Sequence, residues 1–147
     1  MQSDYPVLAK NHRNKSFLRN YIINYYKIFI PISLLILIVG CFFSSFIIRI
    51  FFGEQYTDNS FAFSLLLGVF CGSMLLRNLY GNLLSAVGLM KMNTFFSILS
   101  LLLLAVFSYF LVPKSGVVGM AISLGATLTF VGFLMMFSFF SYLRKLK

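Results

Sequence analysis

Four apolar runs, residues 28–52, 61–87, 92–112 and 117–143, fill most of this chain, and each exceeds the ~20 residues a helix needs to cross a bilayer. Only short polar stretches separate them. With 60% of residues hydrophobic and 10% charged, a soluble domain of this length could not hide its apolar surface. The expected fold is therefore an all-α integral membrane protein with four transmembrane helices, because hydrocarbon demands that backbone polar groups pair within each segment.

The net charge of +9 would suggest nucleic acid in a soluble chain. Here the bases follow the spans instead. Lys10, Arg13, Lys15, Arg19 and Lys27 precede the first run, Lys91 follows the second, and Arg144, Lys145 and Lys147 follow the fourth, while Lys114 stands alone on the other side. That bias places both ends in the cytoplasm and excludes a nucleic-acid face. The loop Gly53-Glu54-Gln55-Tyr56-Thr57-Asp58-Asn59 holds two of the three acidic residues and none of the bases, and is expected outside. The absence of a short, early apolar core argues against a cleaved signal peptide.

Residues 1–27 are expected to form a cytoplasmic basic amphipathic helix on the membrane surface, with Phe17, Leu18, Tyr21, Ile22 and Tyr25 on its apolar side. Residues 28–147 form the four-helix domain. Tyr25 and Tyr26 read as interfacial aromatics, and Pro31 falls in the first turns of the first span, where proline is tolerated. Arg49, one turn from the outer end, can snorkel to the interface or contact a gate or substrate. Cys41 and Cys71 read as small packing residues, and His12 as a solvated side chain. Asn14-Lys15-Ser16 fits a glycosylation sequon but falls on the cytoplasmic side.

The second span carries the informative pattern. Arg77, Asn78, Gly81, Asn82 and Ser85 recur at helical spacing and make one polar stripe. The fourteen Leu, Ile, Val and Phe residues between Phe61 and Leu89 contribute about −4 to −8 kcal/mol to insertion, against about +3 for the Arg. The span still inserts. Arg77 has no intramembrane carboxylate in this chain to pair with, so it needs a carbonyl, a polar side chain, water or an anionic ligand. Two readings stand: an aqueous cavity that binds phosphate, with Arg77, Asn78, Asn82 and Ser85 as contacts, or a structural Arg bonded to a neighbouring helix. Small residues, Ser64-Gly68-Gly72, Ala121 with Gly125, and Ser33-Gly40-Ser44, predict close helix packing. No phosphate loop, dinucleotide fingerprint, zinc pattern or nucleophile elbow is present, so the sequence predicts no enzyme, no metal site and no cofactor.

Four stretches resemble the polysaccharide biosynthesis, or oligosaccharide flippase, family of bacterial inner-membrane transporters. They are Tyr5-Pro6-Val7-Leu8-Ala9, Phe51-Phe52-Gly53-Glu54-Gln55-Tyr56, Leu84-Ser85-Ala86-Val87-Gly88-Leu89-Met90-Lys91, and Leu111-Val112-Pro113-Lys114-Ser115-Gly116-Val117-Val118-Gly119-Met120-Ala121. The resemblance covers nearly the whole chain, in the order of the family's C-terminal region. It implies a larger two-lobe transporter around a central cavity, which moves lipid-linked oligosaccharide on undecaprenyl pyrophosphate to the outer leaflet. Further helices or a partner chain are then needed, because four helices cannot form both walls of an alternating-access cavity. A multidrug exporter of the same superfamily and a small non-transporting membrane protein or inactive fragment are the alternatives.

Overall fold

The computed structural model describes residues 5–11 and 13–146, so His12, read above as a solvated side chain, and Lys147, read as a cytoplasmic base, lie outside the described residues. The described chain is helical, with no strand among the described residues. Helices α1 (Tyr5–Lys10), α2 (Lys15–Phe42) and α3 (Ser44–Phe52) lead into a 3₁₀ turn, Glu54–Asn59. Helices α4 (Ser60–Ser73) and α5 (Leu79–Ala86) are joined by a π turn, Met74–Asn78, and α6 (Met90–Lys145) follows.

Three helical stretches are long and apolar enough to cross a membrane: Lys15–Phe42, Glu54–Ala86 and Met90–Lys145. Their large apolar side chains point away from the protein, with Phe42 85% and Phe137 73% exposed. A hydrocarbon solvent is the physical requirement of such a surface.

Asn14 explains where α2 begins. Its Oδ1 accepts from the Phe17 N–H at 3.1 Å and the Ser16 hydroxyl at 2.7 Å, which makes the apparent sequon a helix cap. From Lys15 the helix runs without a break past residue 28. The expected surface helix over 1–27 is therefore corrected: its greater part is the beginning of the first long helix. Leu18, Ile22 and Tyr25 are buried in the protein core, and Phe17 and Tyr21 pack against it, because the apolar stripe finds α5 and the end of α6 as partners. The earlier start also moves Pro31 into the helix interior, where it supplies no N–H to the carbonyl of Lys27. At the other end the run breaks at Phe43 (φ −99°, ψ 12°), and α3 restarts at Ser44.

Helix α2 runs antiparallel to α4 and α5, as successive contacts show: Gly40 lies against Leu67, the Cys71 thiol 3.5 Å from the Ser33 carbonyl, and Tyr25 against Met74. Ser33, Gly40 and Ser44 are all buried along this seam. Arg49 extends outward to form an ion pair with Glu54, both exposed.

Helix α6 doubles back. Gly116 adopts φ 52°, ψ −127°, and the Ser108 hydroxyl lies 3.5 Å from the Met120 sulfur. A straight helix would separate residues twelve apart by about 18 Å. The second arm, 117–145, runs parallel to α4 and α5, with Gly125 against Val69, Gly132 against Leu76 and Phe139 against Tyr80. Gly68 and Gly72, expected as packing positions, have nothing within 4 Å of an added Cβ. They face outward because the neighbouring helices dock on the other sides of α4.

The hairpin depends on two glycines for different reasons. Gly116 has open space around it but a positive φ, whereas a Cβ on Gly119 would collide with the Leu111 carbonyl oxygen. Gly119→Ala is expected to destabilise the protein by about 1–3 kcal/mol through backbone displacement, and Gly116→Ala by about 1–3 kcal/mol through strain alone. Thermal unfolding in detergent checks both. An unchanged midpoint for Gly119→Ala would contradict the close approach.

The start of α2 and the end of α6 meet at one end of the bundle, where Lys15 Nζ donates to the Leu146 carbonyl at 3.2 Å. Here Leu8 of α1 joins Leu83, Leu84, Phe139 and Leu143 in the core. The Glu54–Asn59 turn lies at the opposite end, beyond α3 and α4.

Candidate functional site

The polar stripe of the second apolar run begins where the backbone leaves α geometry. Residues Met74–Asn78 form a π turn, in which the i→i+5 register releases carbonyls from the α ladder. In hydrocarbon such carbonyls need other donors. Two tyrosines of α2 supply them: the Tyr25 hydroxyl donates to the Met74 carbonyl at 3.0 Å, and the Tyr26 hydroxyl to the Leu75 carbonyl at 3.1 Å. Tyr80 Oη lies 3.3 Å from Tyr26 Oη, positioned to donate to it in turn. Tyr25 and Tyr26, expected as interfacial aromatics, thus hold the π turn, with Tyr25 buried.

Gly132 completes the support. An added Cβ there would lie 2.8 Å from Leu76 Cβ and 3.4 Å from the Arg77 backbone nitrogen, so the missing side chain lets the second arm of α6 rest on the turn.

Arg77 projects from this turn into a cavity of about 200 Å³ lined by Arg77, Asn78, Gly81, Asn82, Asn93, Ser97 and Met135. The stripe residues Arg77, Asn78 and Asn82 thus line one cavity. Ser85 is not in the lining. Its hydroxyl donates to the Gly81 carbonyl at 3.0 Å and accepts from Asn93 Nδ2 at 2.8 Å, so it orients a residue that lines the cavity. Gly81 allows that residue to approach, since an added Cβ would meet Asn93 Oδ1 at 3.4 Å. Ser97 donates to the Asn93 carbonyl at 3.0 Å.

Asn93 and Ser97 carry no prediction from the sequence. Their spacing of four in an apolar run was the available signal, but only the fold shows that they face Arg77.

Arg77 Nε is buried and has no protein hydrogen-bond partner among the described residues. An unpaired guanidinium nitrogen in an apolar bundle carries a desolvation penalty that a bound anion would relieve. The Asn side chains and the Ser97 hydroxyl provide further donors and acceptors around it. At about 200 Å³, the space suits a phosphate-sized group rather than a whole oligosaccharide. Among the described residues, no group of three His, Cys, Asp or Glu side chains gathers to hold a metal.

Compared with models of known families, with curated proteins and with solved structures, the chain matches none.

Proposed function

We propose that this chain is the C-terminal portion of a flippase that carries lipid-linked oligosaccharide, on undecaprenyl pyrophosphate, across the bacterial inner membrane for surface polysaccharide biosynthesis. The observation that carries this reading is Arg77 Nε, buried and unpartnered beside a polar cavity within apolar helices. In the proposal Arg77 donates charge-assisted hydrogen bonds to a phosphate oxygen, Asn78 and Asn82 contact the same group, and Ser85 positions Asn93. The glycan and the far wall of the route lie against further helices, from a longer chain or a partner chain. A multidrug exporter that takes cations is less favoured, because this cavity presents a cation and no carboxylate among its lining residues.

The same proposal includes four crossings with both ends in the cytoplasm. Supporting it are the reversal of α6 at Gly116 and the alternating directions of the helices. The Lys15–Leu146 contact brings the two ends together. The excess of bases at that end agrees with the rule for cytoplasmic loops.

Cysteine accessibility decides the topology. In a Cys41→Ala/Cys71→Ala background, single cysteines at Asp58 and Lys114 are expected to react with an impermeant maleimide from outside intact cells. Those at Lys91 and Lys145 react only after permeabilisation. Equal labelling at Lys91 and Lys114 would remove the third crossing and overturn the four-span reading.

Deletion of the gene tests the transport reading. Surface glycan is expected to fall and lipid-linked oligosaccharide to accumulate in the cytoplasmic leaflet. Normal glycan with no accumulation would overturn it.

A further inference from the structure

A second cavity lies apart from Arg77, at the end of the bundle where the chain's two ends meet. It has a volume of about 380 Å³, within the range of small-ligand sites. Its cationic side is Lys15, Arg19 and Arg144, and its apolar side is Ile22, Ile23, Phe140 and Leu143. Helical spacing accounts for the division. Residues 15, 19, 22 and 23 share one face of α2, and 140, 143 and 144 share one face of the last helix, with bases in the terminal turns of each. A larger open cleft adjoins it, sharing Lys15, Arg19 and Ile23 and adding Arg13.

Lys15, one of the lining residues, also donates to the Leu146 carbonyl. The described carboxylates, Glu54 and Asp58, sit in the turn at the opposite end of the bundle. The cations therefore have no acidic partner among the lining residues. Ile23 and Phe140 are 42% and 43% exposed, which leaves the apolar side open to a bilayer.

We infer that this cleft binds an anionic phospholipid of the cytoplasmic leaflet, its headgroup phosphate on Lys15, Arg19 and Arg144 and its acyl chain against Ile23 and Phe140. Both halves of the cleft are needed for the inference. A soluble anion would satisfy the bases and leave the apolar wall uncovered, and a zwitterionic lipid would cover the wall without neutralising the bases. Basic pockets between helices at the cytoplasmic face select anionic headgroups on this electrostatic ground. The inference goes beyond the transport reading; only the choice of leaflet rests on the proposed topology, and the vesicle experiment tests the lipid site without it.

The chain contains no tryptophan, so Phe140→Trp creates a single fluorescent reporter in the cleft. The full chain with this substitution is reconstituted in phosphatidylcholine vesicles, with a minor fraction of either brominated phosphatidylglycerol or brominated phosphatidylcholine. The phosphatidylglycerol is expected to quench as though enriched on the order of tenfold at the reporter. Lys15→Gln/Arg19→Gln/Arg144→Gln is expected to remove that excess, and Lys10→Gln/Lys91→Gln/Lys114→Gln, which removes equal charge elsewhere, is expected to preserve it.

Equal quenching by the two lipids overturns the inference, and this comparison needs no charge variant to fold. Excess quenching that survives the cleft variant also overturns it, as does displacement by added inorganic phosphate, which would identify a soluble anion as the occupant.

Discussion

Arg77→Met is expected to stabilise the protein and to abolish surface glycan in the same variant. The two effects have one cause. The buried Nε lacks a protein partner, and methionine fills similar apolar volume without the desolvation penalty, for a gain of about 1–3 kcal/mol. That corresponds to a rise of roughly 2–10 °C in the unfolding midpoint of a chain this size. Loss of a charge-assisted donor to phosphate weakens binding by about 1.5–3 kcal/mol, or roughly 10–150-fold. Arg77→Lys keeps the charge but not the forked geometry, so partial glycan display is expected. The midpoint in detergent and surface glycan on intact cells are the measurements. A lower midpoint with normal glycan would instead make Arg77 a structural residue.

Tyr25→Phe/Tyr26→Phe is expected to have the largest structural effect of any change that keeps side-chain shape. It deletes two hydroxyls and leaves the Met74 and Leu75 carbonyls without the donors they now have. Each unsatisfied carbonyl costs about 1–3 kcal/mol, and the two effects are coupled because they act on one turn. Tyr80→Phe should cost less, since the Tyr26 hydroxyl still donates to Leu75.

Amide exchange distinguishes this local effect from general weakening. Faster exchange is expected first at residues 74–80, with the Lys15–Leu146 end little changed. Unaltered exchange there, with an unaltered midpoint, would show that the π turn does not depend on the tyrosines. Because Arg77 belongs to this turn, the double variant should also impair export in the proposed reading.

Several parts of the site were legible before folding. The spacing of Arg77, Asn78, Gly81 and Asn82 brought three polar side chains to one wall of the cavity, since helical periodicity survives a single π turn nearby. Ser85 was legible as polar but not as a positioning residue, because its role depends on Asn93 crossing from α6. The role of Tyr25 and Tyr26 in holding the π turn was not legible, since amphipathic aromatics look the same whether their hydroxyls meet water or a carbonyl.

The amphipathic pattern of Phe17, Leu18, Tyr21, Ile22 and Tyr25 was real, but its apolar face met protein. Periodicity shows that a face is apolar and says nothing of what covers it.

Long apolar runs with few charges were enough by themselves to determine a helical protein whose surface requires hydrocarbon. That conclusion follows from composition and from the need to pair backbone groups locally, neither of which depends on tertiary contacts. Only the tertiary structure decided which glycines mattered: Gly119 and Gly132 admit close neighbours, while Gly68 and Gly72 face open space. It also decided that α2 begins at Lys15, that α6 reverses at Gly116, and that a π turn supports Arg77. Each of these depends on contacts between residues far apart in the chain, where local propensity carries no information.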